Sequence, residues 1–215
     1  AEAAAFRAAN DIAPDAPLIL CLPGSRRSEV GRLGPRFDEA LMRLRDRVPE
    51  VRVVIPTVSG VSGLVRDMAR RWPTAPVVVE SPEERRAAFA AADLALAASG
   101  TVSLDLAAND VPMVIGYDVA PLSRLIIGLL LKTDTVTLVN LVSETRVVPE
   151  FLGRACQPGP MSQALFRLIE HPAERAEQVA AMELTMQRLG RGGEAPGLRA
   201  ARSVLGAISS APRPR

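Results

Sequence analysis

The sequence of 215 residues predicts an α/β fold, with a Rossmann-like, doubly wound parallel sheet and extra helices towards the C-terminus. Three observations predict it. Short apolar, β-rich runs alternate with helical patterns, as in parallel sheets covered by helices. Glycine turns follow two of these runs, where such sheets bind ligands. The chain is 48% hydrophobic, which at this length is enough for a sizeable core.

Five short apolar runs are the predicted strands. They are residues 18–22, 51–55, 77–79, 94–97 and 111–115. Residues 35–47 and 61–72 place apolar side chains at helical spacing, which predicts amphipathic crossover helices between the strands. Ser81, Pro82 and Glu84 form the pattern of a capping box with proline in the first turn, so a further helix begins there.

The second half of the chain has a mostly helical pattern. An apolar helix is predicted over 122–132 and is followed by two short apolar runs at 136–141 and 147–152. Three stretches near the C-terminus have helical composition. They are residues 161–170, 172–189 and 194–207.

The expected domain organisation has four parts. Residues 1–16 are predicted as a helix end or linker from a preceding domain, and residues 17–170 as the Rossmann-like domain. Residues 171–208 are predicted as C-terminal helices, and residues 209–215 as a disordered tail. Because the chain starts at Ala1 without methionine, we expect it to be a piece of a longer protein.

Composition argues against several classes of function. The 26 basic and 24 acidic residues nearly cancel, so no nucleic acid partner is expected. Cys21, Cys156 and the single histidine, His171, are too few for a disulfide framework, a metal cluster or a Ser-His-Asp triad. No Asp-x-Asp pair is present to hold a divalent ion, so neither metal nor cofactor is expected.

Membrane insertion is not expected either. No apolar stretch approaches the roughly 20 residues that span a bilayer, and the start of the chain lacks the pattern of a signal peptide. A cytoplasmic or peripheral location is therefore predicted. The apolar run 125–131, closed by Lys132, is compatible with either a buried helix or contact with lipid.

The first segment with a pattern typical of ligand binding is LCLPGSRRSEV at residues 20–30, a strand that leads through a glycine turn into a helix. The turn at Gly24 and Ser25 presents backbone N–H groups and the positive end of a helix dipole to an anion. Arg26 adds a guanidinium that can bind phosphate in a bidentate manner. The alternative is a simple turn whose arginines make surface salt bridges.

The second such segment, residues 97–105, repeats the arrangement of strand, glycine turn and helix. Ser99, Gly100 and Thr101 stand where a helix begins and can hold a diphosphate through N–H and hydroxyl groups. Asp105 follows one turn later and can accept hydrogen bonds from ribose hydroxyls. The alternative is that Ser99 or Thr101 caps the helix and that Asp105 interacts favourably with its dipole.

A third, weaker cluster comprises Asn140 and Glu150 of the segment Val148-Pro149-Glu150. It places a carboxamide and a carboxylate in a region rich in loops after the main strands.

Together these segments resemble the lipid A disaccharide synthases, which are GT-B glycosyltransferases of family GT19. The resemblance covers residues 17–205 and lies in four motifs. They are LPGSRRSEV at 22–30, ASGTVSLDLA at 98–107, VPMVIGY at 111–117 and VVPEFL at 147–152. It implies the C-terminal, nucleotide-binding half of a hexosyltransferase that moves 2,3-diacylglucosamine from its UDP carrier to 2,3-diacylglucosamine 1-phosphate, which forms the β-1,6-linked disaccharide and releases UDP.

The resemblance also implies roles for particular residues. Arg26 and Asn140 match active-site residues of the family. The residues expected to bind UDP are Gly24, Ser25, Arg26, Ser99, Gly100, Thr101, Asp105 and Glu150. The sequence departs from the family at Asp105, Val139 and Gly153, where glutamate, proline and glutamine are usual.

The implied partners are UDP-diacylglucosamine, the lipid acceptor and the cytoplasmic face of the inner membrane. Whether the full-length protein forms a homodimer is left open by the sequence. The resemblance implies that the family's N-terminal half, which carries the catalytic base, is not part of this chain, so this chain alone is expected to be inactive. The alternatives are another GT-B enzyme, such as a UDP-N-acetylglucosamine 2-epimerase or the peptidoglycan N-acetylglucosaminyltransferase, and a noncatalytic module that binds a nucleotide sugar.

Overall fold

The computed structural model of the chain describes residues 1–118, 135–193 and 196–210. Its centre is a six-stranded sheet with the order β3-β2-β1-β4-β5-β6, in which every pair of neighbouring strands is parallel. The strands are β1 Leu18–Leu22, β2 Arg52–Pro56, β3 Val77–Val79, β4 Leu94–Ala97, β5 Met113–Tyr117 and β6 Glu150–Leu152. The predicted doubly wound parallel sheet is confirmed, and the strand order reverses direction between β1 and β4.

Nine α-helices and one 3₁₀-helix, Gly153–Ala155, are described in these ranges. The α-helices are α1 Glu2–Ala9, α2 Arg27–Arg45, α3 Ser62–Ala69, α4 Pro82–Ala91, α5 Val102–Ala108, α6 Leu138–Ser143, α7 Pro158–Glu170, α8 Pro172–Arg188 and α9 Pro196–Ser210. Helix α2 differs from the prediction, because it begins eight residues earlier and continues through Pro35. Val30 and Leu33 of its first turns are fully buried, and their burial offsets the cost of a proline within the helix.

The core consists of two apolar clusters, one on each face of the sheet. Ile19 and Cys21 of β1 face the cluster that α2, α3 and α7 cover. Leu18, Leu20 and Leu22 face the opposite cluster, which α1, α4, α5 and α8 cover. All five side chains of β1 are buried, as expected for a central strand of a parallel sheet.

The segment predicted as a linker, residues 1–16, packs on the sheet domain. Helix α1 lies against α4, and Phe6 and Ile12 are buried in the core. The guanidinium of Arg7 donates hydrogen bonds to the carboxylate of Asp93 at 2.7 Å and to the carbonyl of Ala91 at 2.8 Å. The N-terminal residues therefore take part in the core of this domain.

The C-terminal helices also pack on the domain. Helix α8 lies against α5 and α6, and its Met182 is fully buried. The Gln178 side chain accepts a hydrogen bond from the N–H of Met113 at 2.8 Å, which joins α8 to β5. Helix α9 includes Ser209 and Ser210, the first two residues of the predicted tail. Residues 211–215 and the predicted apolar helix 122–132 lie outside the described residues.

The described ranges contain neither a membrane-spanning helix nor a cluster of metal-binding side chains. None of the helices there combines the length and the apolar composition that crossing a membrane requires. No three histidine, cysteine, aspartate or glutamate side chains in the same ranges come together as a potential metal site.

Candidate functional site

A cavity of about 420 Å³ lies at the carboxyl ends of β2, β1 and β4, where the strand order reverses. Both predicted glycine turns face it, because Leu22 pairs with Ala97 and the two strands therefore end at the same level. The cavity is lined by seven of the eight residues predicted to bind UDP. They are Gly24, Ser25, Arg26, Ser99, Gly100, Thr101 and Asp105.

Gly24 is required by the shape of the first turn. Its φ of +106° lies in the region that favours glycine. A Cβ atom on Gly24 would also lie 2.6 Å from Oε2 of Glu29, which folds back over the turn from the first turn of α2. Both the backbone conformation and the space therefore exclude a larger residue.

The carboxylate of Glu29 occupies the anion-binding position of the first turn. It accepts hydrogen bonds from the N–H groups of Ser25 at 3.1 Å and Arg26 at 3.3 Å, and Nη1 of Arg26 lies 2.6 Å from it. The hydrogen bond and the negative charge of Glu29 raise the pKa of Arg26 above its ordinary value. The turn thus binds a carboxylate with the groups that we predicted would bind phosphate. The salt bridge of the alternative interpretation is present as well.

Ser99 and Thr101 of the second turn and Asp105 of α5 line the cavity. Thr101 is the N-cap residue of α5, but its side chain makes no capping hydrogen bond. Ser103 instead closes the turn by donating to the carbonyl of Gly100 at 2.9 Å. Asp105 is exposed and lines the cavity one turn into α5. The side chain of Thr101 therefore does not cap α5, and the role of Asp105 towards a ribose stays a prediction.

Asn140 and Glu150 lie in a separate network that does not line this cavity. The Asn140 carboxamide donates to the carbonyl of Val148 at 2.9 Å and accepts from its N–H at 3.0 Å. It also donates to Glu150 at 3.0 Å, and Asn140 is 1% exposed. The structure therefore uses both ends of the Asn140 side chain to hold the loop before β6.

Glu150 is held as a carboxylate by its neighbours. Burial alone would raise its pKa, but hydrogen bonds from the Thr135 hydroxyl and from the N–H groups of Val136 and Thr137 lower it below the ordinary value. Glu150 lies in β6, which pairs with β5 and is three strands away from β1. That separation is about 14 Å at the usual spacing of strands.

Sequence reasoning missed three charged or polar residues of the cavity wall, Glu29, Thr57 and Arg85. Thr57 directly follows β2, whose carboxyl end lies at the same edge of the sheet as β1, so its position along the chain was a usable signal. Glu29 is the third residue of α2, the position of the acidic partner in a capping box. Arg85 stands inside an exposed helical pattern, and no signal in the sequence distinguished it.

Known proteins resemble this chain at the level of sequence. The sequence profile of a family described as lipid-A-disaccharide synthetase matches residues 1–196. A lipid-A-disaccharide synthase of Ruegeria pomeroyi is 56% identical over 198 residues, which cover 88% of this chain and 49% of that protein. One of Paramagnetospirillum magneticum is 43% identical over 208 residues, covering 95% of this chain and 53% of that protein. The chain spans about half the length of these relatives.

Solved structures share the fold. WaaG, a glycosyltransferase involved in lipopolysaccharide biosynthesis, superposes with a TM-score of 0.53 at 17% identity, over 86% of this chain and 46% of that one. The UDP-GlcNAc 2-epimerase of Neisseria meningitidis, solved with UDP-GlcNAc, superposes with a TM-score of 0.55 at 15% identity, over 86% of this chain and 48% of that one. These likenesses show the Rossmann-like half of the GT-B architecture. With the profile match over most of its length, the chain belongs to the lipid-A-disaccharide synthetase family.

Proposed function

We propose that this chain is the donor-binding half of a lipid A disaccharide synthase. The full-length enzyme would transfer 2,3-diacylglucosamine from UDP-2,3-diacylglucosamine to 2,3-diacylglucosamine 1-phosphate and release UDP. The observation that carries the proposal is the convergence of both glycine turns and Arg26 on one cavity at the reversal of the strand order. Family membership and the lipid-A-disaccharide synthase relatives support the choice of reaction.

The contacts of the first turn support a mechanism for binding the donor. In the free chain the turn and Arg26 hold the carboxylate of Glu29. A diphosphate carries more negative charge and more acceptor oxygens than a carboxylate, so we propose that it replaces Glu29 on these groups. Ser99, Gly100 and Thr101 would approach the same diphosphate from the β4 side, and Asp105 would accept hydrogen bonds from the ribose.

Catalysis on this proposal is stabilisation of the leaving group. The bond between the anomeric carbon and the UDP oxygen breaks while the acceptor hydroxyl forms the β-1,6 bond. The proton of that hydroxyl passes to a base outside this chain. Arg26 and the backbone donors of the turn would offset the negative charge that develops on UDP, and they are positioned before the reaction starts. Glu150 and Asn140 would act on the donor indirectly, through the loop that they hold before β6.

Both proposed substrates carry acyl chains, which favour an enzyme that acts at a membrane surface. We propose that the full-length enzyme is peripheral on the cytoplasmic face of the inner membrane. Both acylated substrates would reach it from the lipid layer.

The isolated chain should bind the nucleotide without catalysing sugar transfer. We expect it to bind UDP with a dissociation constant in the high micromolar range or weaker, because one wall of a GT-B cleft belongs to the other half. It should catalyse no transfer, since the acceptor has to be held in line with the anomeric carbon. A titration with UDP and with ADP as the control tests this. Preference for ADP, or formation of disaccharide by the isolated chain, would contradict the proposal.

Glu29→Gln should tighten UDP binding by roughly threefold to tenfold, because the competing carboxylate loses its charge while the side chain keeps its length. The same change should lower the free energy of unfolding by about 1 kcal/mol, because the capping interaction weakens. Glu39→Gln is the matched control, since Glu39 is an exposed carboxylate of α2 that pairs with Arg43 and does not line the cavity. Unchanged affinity in Glu29→Gln would show that this carboxylate is a structural cap and not a competitor.

A further inference from the structure

Within the described parts of the chain, two buried polar atoms in residues that line the cavity have no hydrogen-bond partner. They are Oγ1 of Thr57, at the end of β2, and Nε of Arg85, in α4. Both atoms are buried, and Thr57 as a whole is 5% exposed. Buried polar groups in folded proteins nearly always have a partner. Seven such atoms occur among the described residues, and these two belong to residues that line one cavity, where a bound molecule with acceptor atoms would supply their partners.

The charges of the cavity wall show which acceptor would fit. Four ionisable side chains line it, and the positive charges of Arg26 and Arg85 balance the negative charges of Glu29 and Asp105. Arg26 is already paired with Glu29 at 2.6 Å. In the described parts of the chain, Arg85 makes neither an ion pair nor a side-chain hydrogen bond. It is therefore the cation of this cavity that is available to an anion before Glu29 moves.

The position of Arg85 is set by the start of α4. Ser81 and Glu84 close a capping box there, and the N–H of Arg85 donates to the carbonyl of Ser81 at 2.9 Å. The next residue, Arg86, does not line this cavity, and its guanidinium pairs with Glu2 of α1 at 2.9 Å. Two adjacent arginines thus have different surroundings, and one of them borders the cavity.

We propose that Arg85 and Thr57 form a second phosphate-binding pair, which binds the nucleotide diphosphate from the β2 side of the cavity. This inference rests on the proposed function, because it assigns two further donors to the same ligand. A diphosphate carries at least two negative charges at neutral pH, and Arg26 alone has to exchange Glu29 for it. Arg85 supplies the second positive charge without giving up a partner, and the Thr57 hydroxyl donates a further hydrogen bond.

The test measures the binding of UDP, inorganic pyrophosphate and uridine to the 215-residue chain by ligand-observed NMR, which reaches millimolar dissociation constants. Arg85→Ala should weaken UDP and pyrophosphate binding on the order of 10- to 100-fold and leave uridine binding unchanged. Arg85→Lys should recover part of the loss, because it keeps the charge but not the planar fork. Thr57→Val, which keeps the shape and removes the hydroxyl, should weaken UDP roughly threefold to tenfold.

Arg86→Ala is the matched control, because it removes the same charge from the adjacent position outside the cavity. It should leave UDP binding within about twofold, and the melting temperatures of Arg85→Ala and the unaltered chain should agree.

Equal weakening of UDP and uridine by Arg85→Ala would assign Arg85 to the nucleoside and overturn the inference, as would unchanged UDP binding. A further outcome is that the chain binds pyrophosphate through Arg85 and yet does not prefer UDP over ADP. That result would support the inference and contradict the proposed function. A chain that binds neither UDP nor pyrophosphate would contradict both the inference and the proposed function.

Discussion

Arg26→Ala in the full-length enzyme should slow sugar transfer about 100- to 1000-fold, the usual effect of losing one preorganised donor to a developing negative charge. The fold should remain intact, because the Arg26 side chain is 76% exposed and its ion pair is with Glu29, three residues away. The turnover number should fall more than the affinity for donor, since the interaction is strongest when the UDP oxygen leaves. Steady-state transfer assays and thermal unfolding measure the two effects.

Two further variants sharpen this test. Arg27→Ala removes an exposed arginine next in sequence that does not line the cavity, and it should leave transfer nearly unchanged. Arg26→Lys should be intermediate, because an ammonium group keeps the charge but cannot bind two phosphate oxygens in one plane. Near-normal turnover in Arg26→Ala would contradict the role of this residue in the proposed mechanism.

Asn140→Ala should lower the free energy of unfolding by about 3 to 5 kcal/mol, as the loss of several buried hydrogen bonds predicts. The variant would leave both backbone groups of Val148 without their partner and would remove one donor from Glu150. Any loss of transfer activity should be no larger than the loss of folded protein explains, because the hydrogen bonds of the Asn140 side chain are made within the loop. Urea unfolding monitored by circular dichroism measures the change.

Asn109→Ala is the control for this variant. Its carboxamide makes one exposed hydrogen bond to the carbonyl of Asp105, so we expect a change within about 0.5 kcal/mol. If Asn140→Ala kept its stability and lost transfer, Asn140 would contact substrate directly. Asn140 would then have the active-site role that the family resemblance implies.

Local patterns in the sequence were enough to predict the fold and the meeting of the two glycine turns. Its alternation of apolar runs and helical patterns predicts the parallel sheet, because each element has to bury one face or stripe. The turn at residues 22–26 and the turn at 98–101 follow strands that end at one edge of that sheet. Their convergence on one cavity could thus be predicted from local patterns and the geometry of parallel strands.

The folded structure was needed to show which polar groups in that cavity have hydrogen-bond partners. It places the carboxylate of Glu29 on the first turn, leaves the side chains of Arg85 and Thr57 without a partner among the described residues, and encloses Asn140 in a loop network. It also packs residues 1–16 against α4. The physical reason is that periodicity encodes which face of an element is apolar. Whether a polar atom has a partner depends instead on residues that lie far apart in the chain and meet only when it folds.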